Sequence, residues 1–276
     1  MKSGIYLVAT PIGNISDISL RALDVLKNAN IVACEDTRVT KKLFSLLTIS
    51  TTGKTFIPMH NHNEEEVSQN LIDSAKNGNI IAYVSDAGSP LISDPGYKLS
   101  KKCREQNVYI TTIPGACAAI CALQLSGLPT NSFTFAGFIP NKDKARKDLL
   151  NKYKNLDSTI IFYETANRLT KTLEAIKEIF PHSEIAVARE ITKLFEECLS
   201  GSVDEILKHY TDNQPKGEIV LMIAPSYNEK NITDFTEELK NELKKSTLKS
   251  AVKTIVEKYN LNKNEVYQKA LELKNE

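Results

Sequence analysis

The sequence predicts an α/β protein with two α/β lobes and a small helical appendage at its carboxyl end. Through residues 1–126, short apolar runs rich in β-branched side chains alternate with amphipathic segments. A second set of such runs fills residues 127–226, and residues 227–276 are charged, with apolar side chains at helical spacing. A length of 276 residues fits two domains of about 100–150 residues with an appendage.

The first lobe is expected to hold a parallel sheet. Asn63 with Glu66 has the pattern of a capping box opening a helix that ends before Gly78. Residues 116–126 are nearly all small or apolar, which indicates a buried helix. Because the predicted strands are almost continuously apolar, we expect helices on both faces of their sheet. These strands are residues 4–9, 31–34, 80–84 and 108–110.

The second lobe reads as α/β with a mixed sheet, since its connections differ in length. A helix through Leu169 and Phe180 lies between two of its strands. In the appendage, residues 248–259 keep helical spacing, and Asn262 with Glu265 resembles a second capping box. The predicted strands of this lobe are residues 133–136, 159–163, 185–188 and 219–223.

Composition excludes several classes of protein. No apolar run approaches the roughly 20 residues that span a bilayer, and no cleavage site follows the amino end, so we expect a cytoplasmic protein. The five cysteines form no CxxC pair, which argues against a disulfide framework or a zinc site. A net charge of +1 excludes a bulk polycation that holds nucleic acid by charge alone.

Four predicted strands end in stretches rich in Gly, Pro, Asp and Ser. These stretches are residues 10–14, 35–38, 85–96 and 113–116. Each alone is typical of a turn. In an open α/β sheet, however, ligands bind outside the carboxyl ends of the strands, where loops and helix starts present unpaired N–H groups. Because four consecutive strands end in such stretches, the sequence predicts a small-molecule site at this edge of the sheet.

The common phosphate, nucleophile and metal motifs do not fit these residues. No GxGxxG follows the first strand, and no GxSxG is present. The sequence around Lys54 imitates the end of a phosphate-binding loop but has Thr48 where the earlier glycine is required. His60 and His62 lack a third ligand nearby, so no metal is expected.

Taken in order, the motifs resemble the tetrapyrrole methylase superfamily of S-adenosylmethionine-dependent methyltransferases. The greatest similarity is to the branch that methylates the ribose 2′-hydroxyl of a cytidine in 16S rRNA. Cys117 departs from the Ser or Thr common in the wider superfamily. The matching stretches are residues 9–14, 17–19, 35–38, 60–64, 85–96, 113–116, 137–140, 162–164 with Arg168, 188–190 and 217–220.

The resemblance implies a homodimer that binds S-adenosylmethionine in a cleft between the two lobes. Glycine and proline loops suit this cofactor because they let the backbone approach it closely. The cofactor-binding residues implied by position are Pro11, Asp86, Ala87, Gly88, Ser89, Pro90, Ile92, Pro114, Gly115, Ala116, Cys117, Ala118 and Tyr163.

Charged residues at the strand ends are the candidates for catalysis. We expect Asp36 with Arg38, and Glu164 across the cleft, to serve the acceptor ribose, with Arg189 and Glu190 as further catalytic candidates. For each of them, an ion pair at the rim of the cleft is an equal alternative.

A basic segment, residues 142–154, carries six basic and two acidic side chains. It predicts contact with RNA, which the resemblance implies to be 16S rRNA or the small ribosomal subunit, although a solvated helix face is an equal alternative. Two other functions stay open, a methylase of a tetrapyrrole or another small molecule and a non-catalytic binding module. The predicted RNA contacts are Lys142, Lys144, Arg146 and Lys147.

Overall fold

The computed structural model describes residues 1–225, 235–259 and 263–275. Met1–Pro225 forms one compact unit that contains both sheets, and the described residues of Ser226–Glu276 form a second unit. Within the described residues, no helix is both long enough and apolar enough to cross a membrane.

The first sheet is parallel throughout, in the order β3-β2-β4-β1-β5. Apolar clusters cover both of its faces, with Val8 and Val84 on one side and Ile5 and Ile81 on the other. The predicted parallel sheet is thus confirmed. Its strands are β1 (Gly4–Val8), β2 (Ile31–Cys34), β3 (Thr55–Pro58), β4 (Ile80–Val84) and β5 (Ile110–Ile113), with helices α1 (Leu20–Asn28), α2 (Thr37–Leu46), α3 (Glu64–Lys76) and α4 (Tyr97–Glu105).

The second sheet is mixed, as predicted, in the order β6-β7-β10-β8-β9. Only β6 and β7 pair in parallel among its strands in the described residues. A large apolar cluster containing Phe162, Leu173 and Leu221 packs against one face. The strands are β6 (Phe133–Phe138), β7 (Thr159–Thr165), β8 (Glu184–Arg189), β9 (Glu197–Ser202) and β10 (Glu218–Ile223), with helices α5 (Ala118–Leu125), α6 (Asp143–Tyr153), α7 (Leu169–Ile179) and α8 (Val203–Asp212).

Sequence reasoning missed β3 and β9 because both lie at sheet edges. None of the four residues of β3 is buried, and β9 contains only half-buried and exposed residues, so neither forms a continuous apolar run. The strand predicted at residues 108–110 begins instead at Ile110. The backbone N–H of Val108 donates to the carbonyl of Cys103 and closes the end of α4.

Two helix predictions were wrong in detail. Asn63 does not cap α3, because its side-chain oxygen accepts from the N–H of His60 (2.8 Å). Helix α5 is not wholly buried, since Ile120 and Leu125 are exposed on its outer side. The Asn262–Glu265 pattern lies outside the residues whose side chains the structure describes.

The smaller unit contains three helices in its described part, which confirms the predicted helical appendage. They are α9 (Thr236–Lys245), α10 (Leu248–Tyr259) and α11 (Lys263–Asn275). Leu239, Ile255 and Val266 belong to its apolar core. Glu238 of α9 accepts hydrogen bonds from Lys258 and Tyr259 of α10, which fixes the pairing of these two helices.

Candidate functional site

A cavity of about 400 Å³ lies in the larger unit, where loops of the first sheet face the second sheet. The loops after β1 and β4 and the start of α5 form one wall, and β7 and β10 form the other. This is the cleft that the sequence predicted between the lobes. The cavity is lined by Ile12, Ala87, Gly88, Ser89, Ile92, Ser93, Asp94, Cys117, Ala118, Phe138, Tyr163, Glu164, Thr165, Ile191, Gly217, Glu218, Ile219 and Val220.

Three strand-end loops are joined by hydrogen bonds at the cavity wall. The N–H of Thr10 donates to the carbonyl of Gly88 (2.9 Å), and the N–H of Gly88 donates to the carbonyl of Thr10 (3.1 Å). Gly88 takes a φ of +80°, a conformation that favours glycine. The Ser89 hydroxyl donates to the carbonyl of Ala116 (3.0 Å), which ties in the loop after β5. These bonds prearrange the wall before any ligand arrives.

The loop after β4 contains strained backbone. Leu91 and Ser93 have φ values of +72° and +67°. Left-handed conformations at residues other than glycine cost about 1–3 kcal/mol each and cluster at functional sites. The end of this loop is pinned by Glu64 of α3, whose Oε1 accepts from the N–H of Gly96 (3.0 Å). The fold therefore holds the cavity-lining part of the loop in a fixed shape.

Tyr163 forms the aromatic wall on β7. Its ring lies edge to face with Phe135 and Phe138, at centroid distances of 4.9 and 5.4 Å. Burial raises the pKa of Tyr163 to about 12; nearby Cys117 adds to that rise, whereas a hydrogen bond with the N–H of Ala119 opposes it. The phenol therefore stays protonated near neutral pH.

Glu190 braces the start of β10. Its Oε1 accepts from the N–H of Glu218 (3.1 Å) and from Nζ of Lys193 (2.9 Å). The Lys193 hydrogen bond is the largest cause that lowers the pKa of Glu190. A Cβ added at Gly217 would stand 2.1 Å from the same oxygen, and Gly217 has a φ of +86°, so both conditions favour glycine.

The predicted cofactor-binding residues fall into two groups. Ala87, Gly88, Ser89, Ile92, Cys117, Ala118 and Tyr163 line the cavity. Pro11, Asp86, Pro90, Pro114, Gly115 and Ala116 belong to the same loops without lining it. Two members of this second group support the wall. Asp86 Oδ1 accepts from the N–H of Asp36 (3.1 Å). Gly115 packs closely on Ala9, since a Cβ added to Gly115 would lie 2.9 Å from the Cβ of Ala9.

Glu164, a predicted catalytic residue, lines the cavity with its carboxylate saturated by donors. Its side chain is 1% exposed. Oε1 accepts from Nη2 of Arg168 (2.6 Å) and the N–H of Thr165 (2.7 Å), and Oε2 accepts from the hydroxyl of Thr172 (2.6 Å). A carboxylate held in this way suits positioning better than proton transfer.

Asp36 and Arg38 pair at the surface and do not line the cavity. Asp36 caps α2 by accepting from the N–H of Arg38 (2.7 Å), and Nη2 of Arg38 also donates to it (2.7 Å). The side-chain bond from Arg38 is the main reason that the pKa of Asp36 falls to about 2. Because the Arg38 side chain is 89% exposed, its guanidinium is accessible to a ligand.

Arg189 points away from the cavity. Its Nε donates to Glu197 of β9 (2.8 Å), and the Tyr210 hydroxyl donates to the same carboxylate oxygen (3.2 Å). Arg189 and Glu190 both line a separate depression of about 500 Å³. The structure therefore does not bring Arg189 or Glu190 together with Glu164 around one cavity.

The four predicted RNA contacts differ in exposure. Lys142 and Lys144 are exposed at the start of α6, and Lys147 pairs with Glu178 of α7 (2.5 Å). The Arg146 side chain is only 4% exposed, and its guanidinium donates to the carbonyl of Asn141 (3.0 Å). Lys142 and Lys144 are thus the two that present accessible charge.

Sequence reasoning did not assign several residues of the cavity wall. Most of them lie in stretches that were recognised as family motifs, so the sequence did mark their neighbourhood as functional. Thr165 and Ile191 each follow such a motif without belonging to it. The unassigned lining residues are Ile12, Ser93, Asp94, Phe138, Thr165, Ile191, Gly217, Glu218, Ile219 and Val220.

Comparison with known proteins gives the same family as the motifs. Tetrapyrrole (Corrin/Porphyrin) Methylases match residues 4–207. A "Ribosomal RNA small subunit methyltransferase I" of Erythrobacter litoralis is 46% identical, over 99% of this chain and 96% of the relative. The protein of the same name from Vibrio cholerae is 42% identical, over 97% and 94% of the two chains.

Solved structures of low identity share the fold. A uroporphyrin-III C-methyltransferase from Thermus thermophilus, complexed with S-adenosylhomocysteine, has a TM-score of 0.53 at 15% identity. The match covers 80% of this chain and 97% of that one. The chain therefore belongs to the tetrapyrrole (corrin/porphyrin) methylase family, together with its relatives named ribosomal RNA small subunit methyltransferase I.

Proposed function

We propose that this protein is a methyltransferase that uses S-adenosylmethionine to methylate the ribose 2′-hydroxyl of a cytidine in 16S rRNA. The observation that carries the proposal is the cavity at the junction of the family motifs, in a chain closely similar along nearly its whole length to rRNA methyltransferases. Because the proposed substrate is part of the small ribosomal subunit, we expect the protein to be cytoplasmic.

The lining residues fit this cofactor. S-adenosylmethionine carries a net positive charge and no phosphate, and within the described residues the lining contains carboxylates but no lysine or arginine. Gly88 lets the backbone approach closely, and Ile12, Ile191 and Tyr163 offer apolar surface. When bound, S-adenosylmethionine supplies a methyl group activated by the positive sulfur.

The chain contributes alignment, exclusion of water and charge. Holding the acceptor hydroxyl in line with the methyl group can lower the barrier by about 7–11 kcal/mol. Glu164, fixed by Arg168, Thr165 and Thr172, keeps one wall in place as a positioning residue. Arg38 is exposed beside Asp36, which is itself hydrogen-bonded to the loop after β4, so the pair is available for the acceptor ribose or its phosphate.

Recognition of RNA requires accessible positive charge near this site or elsewhere in the assembly. Lys142 and Lys144 at the start of α6 are the exposed members of the basic segment, and the helical unit carries further lysines. We expect the protein to act as a homodimer, as the family resemblance implies, so that a second copy would extend the RNA-binding surface.

A transfer assay tests the proposal. Methyl-labelled S-adenosylmethionine is incubated with unmethylated small subunits, free 16S rRNA and a porphyrin precursor. We expect label in RNA, recovered as 2′-O-methylcytidine after digestion. Label found only in the porphyrin would replace the proposal with tetrapyrrole methylation, and cofactor binding without any transfer would indicate a binding module.

A further inference from the structure

The cavity wall carries three carboxylate side chains, Asp94, Glu164 and Glu218. Two of them have cationic partners. Arg168 neutralises Glu164 at 2.6 Å, and Lys193 lies 2.9 Å from Glu218. Asp94 forms no ion pair in the described part of the chain, which makes it the wall carboxylate without a cationic partner there.

The surroundings of Asp94 are acidic. Its neighbours include Asp86 after β4 and Glu35 after β2, both carboxylates, together with the phenols of Tyr83 and Tyr163. Burial, and after it Asp86, raises the pKa of Asp94, and the nearby Ser85 hydroxyl opposes this rise. A raised pKa means that these surroundings disfavour the negative charge of Asp94, which a bound cation would stabilise. Among the described residues, no cation lowers the pKa of Asp94 or of Glu35.

The fold fixes the position of this charge. The residue after Asp94 is Pro95, whose buried carbonyl accepts from the Tyr83 hydroxyl at 2.7 Å. The next residue, Gly96, donates its N–H to Glu64 at 3.0 Å. Because the backbone is held on this side and takes a left-handed conformation at Ser93 on the other, the backbone position of Asp94 in the wall is fixed.

We propose that Asp94 makes the cavity discriminate by charge, binding the cationic methyl donor more tightly than its neutral demethylated product. The inference rests on the proposed function. In the transfer, the carbon–sulfur bond breaks with its electron pair staying on sulfur, a carbon–oxygen bond forms, and the acceptor hydroxyl releases its proton to solvent. The sulfonium thereby becomes a thioether, the attraction to Asp94 is lost, and release of the product is favoured.

The test compares the affinities of the two nucleosides. Isothermal titration calorimetry gives Kd for S-adenosylmethionine and S-adenosylhomocysteine with the full chain and three variants. In Asp94→Asn we expect the ratio of the product Kd to the donor Kd to fall about tenfold, the size expected for one unit charge several ångströms away at an effective dielectric constant near 20 and partly screened. Asp94→Glu keeps the charge and should keep the ratio within about threefold.

Asp157→Asn is the matched control, because Asp157 is exposed just before β7, whereas the cavity-lining part of β7 is at its other end. It should leave both constants unchanged. If Asp94→Asn weakens both nucleosides by the same factor, the inference is wrong, while the proposed function stands. If the unmodified protein binds neither nucleoside, the proposed function itself fails.

A second measurement covers the case in which Asp94→Asn does not fold, as judged by its thermal transition. With the unmodified protein, raising salt from 0.05 to 0.5 M (roughly 14 to 4 Å in Debye length) should weaken binding of the cationic donor more than that of the product. Equal salt dependence for both nucleosides would overturn the inference without any variant.

Discussion

Replacing Glu164 by Gln tests whether this residue holds the cavity wall in place. The change keeps the shape of the side chain, so Oε1 can still accept from Thr165 and Arg168. In the unmodified protein, the Thr172 hydroxyl donates to Oε2 at 2.6 Å. The change removes the negative charge and places an amide N–H₂ against this hydroxyl. The Thr172 hydroxyl must then turn to accept, and the guanidinium of Arg168 loses its anionic partner.

The expected loss follows from these contacts. Hydrogen bonds to charged groups contribute about 1.5–3 kcal/mol, and removing one partner of a buried ion pair outright costs about 3–5 kcal/mol. Arg168 is 21% exposed and water can reach it, so we expect Glu164→Gln to lower the free energy of unfolding by about 1.5–3 kcal/mol. Glu164→Ala should approach about 3–5 kcal/mol.

Urea denaturation followed by circular dichroism measures both values. Glu174→Gln, an exposed glutamate on the same helix as Thr172, serves as the matched control and should stay within about 0.5 kcal/mol of the unmodified protein. A Glu164→Gln protein as stable as the control, yet without methyl transfer, would refute the positioning role and favour direct participation in the chemistry.

Three further changes probe the cavity wall and the Asp36–Arg38 pair at the surface. Gly217→Ala should lower the thermal transition by several degrees, because its φ of +86° and the Glu190 oxygen 2.1 Å from an added Cβ both oppose a side chain; an unchanged melting curve would contradict this. Arg38→Ala should raise the pKa of Asp36 from about 2 toward the ordinary value near 3.9. NMR titration of the Asp36 carboxyl carbon measures this pKa. An unchanged value would show that Arg38 does not cause the low pKa. Ser89→Ala removes the hydroxyl that joins two loops and should lower the free energy of unfolding by about 1 kcal/mol. We also expect weaker binding of S-adenosylmethionine, measured by calorimetry. Unchanged affinity would show that this hydrogen bond does not support the cofactor site.

The sequence by itself determined the buried parts of the two sheets. β1, β4 and β10 are apolar on both faces because they lie inside the molecule, and such runs are visible in one dimension. The loop motif of residues 85–96 was equally visible, since its Gly, Pro, Asp and Ser residues are typical of turns. The edge strands β3 and β9 were not predicted, because they are partly exposed to water and their sequences contain no continuous apolar run.

Only the tertiary structure decided which charged side chains are already satisfied. The sequence offered Asp36 and Glu164 as the leading candidates and Glu190 as a further one, yet Glu164 is hydrogen-bonded to three donors and Glu190 braces Glu218, 28 residues away. Asp94 received no role from sequence, although it is the lining carboxylate without an ion-pair partner among the described residues. Periodicity reports whether a side chain is buried, whereas the partner of a charge depends on which distant segments packing brings within about 3 Å.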